Sequence, residues 1–74
     1  MNPNRRRKDN VTPTPGEVKV AASVLEARHG IHAAEIADFF SELNRQTGNL
    51  DRSWAWAGVA DIVRRRQWAR LQAA

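Results

Sequence analysis

The feature that most limits how this chain can fold is the absence of cysteine from a sequence of only 74 residues. A chain this short buries only about 60% of the surface that its unfolded form exposes, so its core is small. Without cysteine there are no disulfides, and two histidines are too few for a closed structural zinc site. Regular helix packing or self-association must therefore stabilise the fold, and we expect no metal and no cofactor.

The charges are unevenly distributed along the chain. Residues 1–16 carry four cations against one carboxylate, residues 17–63 carry seven carboxylates against four cations, and residues 64–74 carry four unopposed arginines. An acidic middle between two basic ends indicates interaction surfaces without naming the partner. No apolar run approaches the roughly 20 residues that span a bilayer. We therefore expect a cytoplasmic protein with no membrane partner.

Residues 1–13 have the composition of a disordered basic arm. They are rich in Asn, Arg, Lys and Pro, and Val11 is their only apolar side chain after Met1. Such a segment cannot bury enough surface to offset the entropy of ordering. The run Arg5-Arg6-Arg7-Lys8 is not followed by the apolar stretch of a signal peptide. We predict a disordered arm over 1–13 and one small helical domain over 14–74.

The domain opens with a strong helix-start signal. Thr14 and Glu17 have the spacing of a capping box, and Pro15 between them suits the first helical position. Apolar residues then recur at i, i+3, i+4 and i+7 as far as Gly30, which can take the backbone conformation that ends a helix. The short connection at Gly30 predicts a sharp turn or an antiparallel helix hairpin.

Two further segments have helical periodicity, and no segment alternates as a strand does. The second ends at Gly48-Asn49, and Asp51 or Ser53 can cap the third. In the third segment, Gly58 lowers helix propensity by about 1 kcal/mol relative to alanine. A close helix crossing at this position would explain the presence of glycine. The sequence therefore predicts an all-α, compact three-helix domain. Its helices are expected over about 15–29, 32–47 and 51–71.

A loose motif runs from Ala21 to Val63. It combines an alanine-rich first helix, a His-Gly pair followed by alanine, a Gly-Asn turn, and a tryptophan eight residues later that leads into spaced aliphatics. Its residues here are Leu25, His29-Gly30, Ala33, Gly48-Asn49, Trp56, Val59 and Ile62-Val63. In this the chain resembles a group of small proteobacterial proteins, although Phe39-Phe40 replaces more polar residues. The resemblance implies a bacterial helical protein and no particular activity.

The residues that could support catalysis or metal binding have simpler structural explanations. His29 and His32 could join Glu35 or Asp38 in a metal cluster, but Gly30 interrupts the helix between the histidines. Ser53 with Asp51 and a histidine has the composition of a nucleophilic triad, yet a triad is defined by geometry and not by inventory. The chain is also too short to enclose a pocket that excludes water. We expect no enzyme activity and no small-molecule substrate.

Three tryptophans in so short a chain exceed what a small core needs. The simplest interpretation is that Trp56 anchors the core while Trp54 and Trp68 partly cover it. Trp54 and Trp56 lie about 200° apart on a helix, so both cannot face the same neighbouring helix. Because tryptophan and arginine are enriched in binding hot spots, we expect Trp54 or Trp68 to lie in an interface.

Four arginines follow on the same helix. Cations near a helix C-terminus offset its dipole, and Asp61 can pair with Arg65 at i+4. Because Arg64, Arg65 and Arg66 spread over about 200° of the helix, we expect at least one to have no intramolecular partner. The candidate partner-binding residues are Trp54, Arg64, Arg65, Arg66, Trp68 and Arg70.

Two functions fit these features. The first is a non-enzymatic protein-binding module: a small adaptor or steric inhibitor of a partner protein or complex, or a self-associating domain. The second is a small nucleic-acid-binding protein that uses Arg5, Arg6, Arg7 and Lys8 with the arginine-rich end of the third helix. A helix-turn-helix at Gly30 would place an acidic helix where the recognition helix should be basic or amide-rich, which favours the first function.

Overall fold

The computed structural model describes residues 13–73, and helix dominates this part of the chain. Its elements are α1 (Pro15–His29), a 3-10 turn (Gly30–His32), α2 (Ala33–Gln46) and α3 (Leu50–Ala73). Within these residues there is no strand, so the predicted all-α class is confirmed. The predicted disordered arm, apart from Pro13, lies outside the described residues.

The prediction of three separate helices is not confirmed. The 3-10 turn joins α1 to α2 directly, so every residue from Pro15 to Gln46 belongs to a helix or to this turn and no loop separates the two helices. The described chain thus has two continuous helical stretches, the first of them bent. The bend depends on Gly30, whose φ of +55° favours glycine and whose N–H still donates to the carbonyl of Glu26.

The start of α1 follows the sequence prediction closely. The Thr14 hydroxyl accepts a hydrogen bond from the Glu17 N–H at 3.2 Å, and the Thr14 N–H donates to Glu17 Oε1 at 2.7 Å. This is a complete capping box with Pro15 at the first helical position. It satisfies two backbone N–H groups that the helix itself cannot pair.

The start of α3 differs from the prediction. Asn49, and not Asp51 or Ser53, occupies the cap position: its carbonyl accepts from the Ser53 N–H at 3.0 Å and its side chain accepts from the Arg52 N–H at 3.4 Å. Helix α3 therefore begins at Leu50, one residue before the predicted start, and it ends at Ala73. Helix α2 begins at Ala33, one residue after the predicted start at His32.

Long-range side-chain contacts establish how the helices run. Ser41 on α2 bonds to Ser53 near the start of α3, whereas Asp38, earlier on α2, pairs with Arg64 far along α3. Helix α2 is therefore antiparallel to α3. Helix α1 runs parallel to α3, because an early α1 residue, Val18, faces Gly58 and a late one, Glu26, pairs with Arg66 and Arg70. Both α1 and α2 thus pack on α3.

Alanine dominates the core between these helices. Five of its eight buried residues are alanines, and Val63 is the largest side chain with almost no exposure. Small side chains allow close helix packing but bury little apolar area. Val18, Ala21, Ile36, Trp56 and Ile62 pack against this core while staying partly exposed. The core residues are Ala22, Leu25, Ala33, Ala34, Ala37, Val59, Ala60 and Val63.

Candidate interaction surface

Most of the large apolar side chains of the described region lie outside this alanine core. Nine of them are exposed by 44% or more. Single exposed apolar residues are common in folded proteins, but grouped ones mark interaction sites. Four of the nine lie on α3, more than on any other element. The nine are Val20, Val24, Ile31, Phe39, Leu43, Leu50, Trp54, Trp68 and Leu71.

A single exposed line on α3 carries all four of its exposed large apolar side chains. The spacing alternates between four and three residues, which keeps positions on one face of a helix. Every position of this line is exposed. The core-facing residues Val59 and Val63 lie on the opposite side of the helix, and the buried Ala60 lies at the edge of the line. We call this line the outer stripe, and it consists of Leu50, Trp54, Ala57, Asp61, Arg64, Trp68 and Leu71.

The tryptophans lie on different faces of α3, as the angle of about 200° between Trp54 and Trp56 predicts. Trp56 lies against the core, with its ring centroid 4.8 Å from that of Phe40 on α2. Trp54 is 79% exposed and Trp68 is 63% exposed. The two exposed indole rings belong to the outer stripe and face away from α1 and α2.

The arginines at the end of α3 are all engaged in ion pairs. Arg64 pairs with Asp38 on α2, and Arg65 pairs with Asp61 at 2.6 Å, as its i+4 spacing predicts. Arg66 and Arg70 both bind Glu26 on α1, at 2.9 and 2.7 Å. The expectation that one of Arg64–Arg66 lacks an intramolecular partner was therefore wrong. Sequence spacing reveals partners on the same helix but not the carboxylates that the fold brings from the other two.

Glu26 links the end of α1 to α3. Its side chain is only 13% exposed, although the guanidinium of Arg70 reaches it from an exposed position. The hydrogen bond from Arg70 lowers the pKa of Glu26 most, Arg66 lowers it further, and partial burial opposes both. The carboxylate is thus held ionised between two cations from successive turns of α3.

The structure therefore separates the predicted partner-binding residues into two groups. Trp54, Trp68 and Arg64 lie on the outer stripe, and Arg65 lies beside it. Arg66 and Arg70 face α1 instead. The four cations of the predicted nucleic-acid site, Arg5 to Lys8, lie outside the described residues.

Sequence reasoning missed Leu50 and Leu71, which extend the outer stripe at both ends. Leu50 was missed because the helix had been expected to begin after it. The signal was present, since residues 50, 54, 57, 61, 64, 68 and 71 form an unbroken series of alternating steps of four and three.

The residues considered for catalysis or metal binding have other contacts. His32 Nδ1 lies 3.2 Å from Glu35, and between residues 13 and 73 no three His, Asp or Glu side chains converge as a metal site requires. Ser53 is 7% exposed and lies against Ser41, whose hydroxyl donates to the Ser53 carbonyl at 2.8 Å. Ser53 therefore helps to join α2 to α3.

An open groove of about 580 Å³ lies between the start of α1 and α3. Trp56 and Glu17 are among the residues that line it, and the Glu17 carboxylate is already bound in the capping box. No helix of the described region is long and apolar enough to cross a membrane.

Comparison of the chain with known protein families, with curated proteins and with solved structures gives no match. The resemblance to small proteobacterial proteins thus stays a prediction.

Proposed function

We propose that this chain is a non-enzymatic, cytoplasmic protein-binding module that contacts its partner through the outer stripe. Such a module would act as an adaptor, as a steric inhibitor or by self-association. The observation that carries the proposal is the inverted distribution of apolar bulk: alanines fill the core, and two tryptophans and two leucines line the outside of α3.

The energetic argument rests on the two exposed indole rings. Burying a tryptophan removes about 150–250 Å² from water, at roughly 25 cal/mol for each Å² of apolar surface. In the monomer, Trp54 and Trp68 forgo most of that gain, since they are 79% and 63% exposed. Neither indole ring belongs to the core cluster or packs against it. Tryptophans placed in this way are typical of binding hot spots.

The helix that carries the stripe is well suited to present it. Helix α3 contacts both other helices, and ion pairs to Asp38 and Glu26 tie its second half to α2 and α1. A surface on an element held from two sides loses little conformational entropy when it binds.

The ion pairs of Arg64–Arg66 and Arg70 weigh against the alternative function. A phosphate strip on α3 would have to break contacts with three carboxylates, Asp38, Asp61 and Glu26. Each broken pair offsets part of the gain from counterion release. Nucleic-acid binding would therefore depend on the four cations of residues 5–8.

The proposal is tested by affinity retention from nuclease-treated extract of the source organism. The bait is the wild-type protein, the double variant Trp54→Ser/Trp68→Ser, or the matched control Val20→Thr/Val24→Thr, which alters exposed apolar residues on α1. We expect wild type and control to retain the same partner, or to self-associate equally, and the tryptophan variant to lose that binding with unchanged helicity by circular dichroism. A tryptophan variant that binds as wild type does, or a wild type that neither retains a protein nor self-associates, would refute the proposal.

A further inference from the structure

The order of residues along the outer stripe is nearly the same read in either direction. Leucines stand at both ends, Leu50 and Leu71, and tryptophans stand next inward, Trp54 and Trp68. The midpoint of the tryptophan pair is residue 61, and the midpoint of the leucine pair lies between residues 60 and 61. Both pairs therefore bracket one point, which is Asp61.

We infer that the outer stripe binds the outer stripe of a second copy of this chain, with the two α3 helices antiparallel and a two-fold axis beside Asp61. This inference rests on the proposed function and names its partner. A two-fold interface uses the same patch on both copies, so that residue i contacts j while j contacts i. A stripe whose large apolar side chains are arranged symmetrically about Asp61 meets that requirement.

The dimensions of the helix fit this arrangement. At about 1.5 Å per residue, the two tryptophans lie about 21 Å apart and the two leucines about 32 Å apart. Antiparallel pairing places Trp54 against Trp68 of the second copy at two symmetric points, and Leu50 against Leu71 beyond them. The alternating steps of four and three are the spacing at which side chains of paired helices interdigitate.

The exposed area fits a reversible dimer. The four large apolar side chains are exposed by 58% to 79%, and tryptophans bury about 150–250 Å² each. Together they offer on the order of 600 Å² for each copy, against about 800 Å² for each partner in an interface of standard size. The smaller side chain of Ala57 and residues that flank the stripe would supply the remainder. The surface is too small for an obligate dimer, and we expect micromolar association.

The charges favour the antiparallel orientation over the parallel one. Parallel helices would bring Arg64 of one copy beside Arg64 of the other, with the two Arg65 side chains next to them. Antiparallel helices place the C-terminal end of α3 beside the first two turns of the other α3, where one cation, Arg52, is balanced by Asp51. At the axis, each Asp61 keeps its Arg65 at 2.6 Å, so two ion pairs meet there and no carboxylate is left without a cation.

The association is tested by sedimentation equilibrium from about 1 µM to about 1 mM, the range of weak reversible binding. We expect the wild type to dimerise, and Trp54→Ser or Trp68→Ser alone to weaken the dimer by roughly tenfold to thirtyfold. The control Val20→Thr/Val24→Thr should dimerise as wild type does. A wild type that stays monomeric throughout overturns the inference. If that monomer retains a host protein through its tryptophans, the proposed function stands; if it retains nothing, both fail.

The orientation is tested by disulfide formation, because the chain has no cysteine of its own. Asp61→Cys lies at the axis and should oxidise to a covalent dimer. Gln72→Cys should not, because its two copies would lie about 33 Å apart along the helices. Cross-linking of Gln72→Cys as fast as Asp61→Cys would overturn the antiparallel arrangement.

A second pair of variants covers the case in which loss of the Asp61 carboxylate itself weakens the dimer. Ala57→Cys and Arg65→Cys lie opposite each other across the proposed axis. Mixed in equal amounts, they should form a disulfide with each other faster than either forms one alone. Equal rates in the mixture and in the separate samples would overturn the proposed register.

Discussion

Replacement of Glu26 by glutamine tests how the ends of α1 and α3 are held together. In the wild type, the carboxylate accepts hydrogen bonds from Arg66 at 2.9 Å and from Arg70 at 2.7 Å. Glutamine keeps the size of the side chain and one acceptor oxygen but removes the charge. The variant therefore isolates the electrostatic part of this contact and leaves the packing of the helices intact.

The magnitude follows from exposure. A hydrogen bond to a charged group contributes about 1.5–3 kcal/mol when protected, and an exposed ion pair contributes about 0–1 kcal/mol. Glu26 is 13% exposed, but the side chains of Arg66 and Arg70 are 36% and 63% exposed, which places the pair of contacts between these limits. We expect Glu26→Gln to lower the free energy of unfolding by about 2 kcal/mol. For a domain of this size, that is a fall in Tm of roughly 8–16 °C.

The pH dependence distinguishes this contact from a packing defect. The folded-state pKa of Glu26 is lowered from its ordinary value of 4.5, first by Arg70 and then by Arg66. The stabilisation is therefore fully present above about pH 5 and is lost as the pH falls through the lowered pKa. Thermal unfolding followed by circular dichroism should show wild type and variant well separated at pH 7 and converging as the pH falls below the lowered pKa of Glu26. A separation that persists unchanged at low pH would refute this reasoning, and Glu35→Gln, at an exposed pair with His32, provides the control with little effect.

Four further outcomes follow from the structure. Gly58→Ala should raise the free energy of unfolding by about 0.5–1 kcal/mol in urea denaturation, because a Cβ there would meet Val18 Cγ1 at 3.5 Å, an ordinary contact distance. Thr14→Ala should lower it by about 1 kcal/mol in the same assay, because the Glu17 N–H loses its acceptor. If nucleic acid binds at all, the slope of log affinity against log salt should be near −4, as expected for the four cations of residues 5–8 alone. A slope near −7 would mean that the four arginines of α3 also bind phosphates. The Tm should rise with protein concentration, since a partner at ten times its Kd adds about 1.4 kcal/mol of stability; a Tm that is independent of concentration would contradict self-association.

Local signals in the sequence predicted the local structure well. The capping box at Thr14 and Glu17, the last residue of α1 at His29 and the positive φ of Gly30 depend on a few neighbouring residues, and the structure confirms each. The start of α3 was predicted less well because Asn49, Asp51 and Ser53 all favour cap positions. In the structure Asn49 takes the cap position, and Ser53 lies inside the helix, buried against Ser41.

The non-local contacts could not be read from the sequence in the same way. The partner of Arg65 is four residues away and was predicted, whereas the partners of Arg64 and Arg66 are 26 and 40 residues away. Which carboxylate reaches which arginine depends on α1 running parallel and α2 antiparallel to α3. The count of separate helices failed for a related reason. Gly30, with its positive φ, redirects the chain through a 3-10 turn, so α2 follows α1 with no loop between them.

The two faces of α3 have different side chains and different roles. The inner face packs small residues closely against α1 and α2, which gives order with little buried area. The outer face carries the large apolar side chains that such a core cannot hold. Placing Trp54 and Trp68 inside would require the helices to separate by the width of an indole ring, at the expense of the ion pairs to Glu26 and Asp38. The area missing from the core is thus available on the outside of α3, where association can bury it.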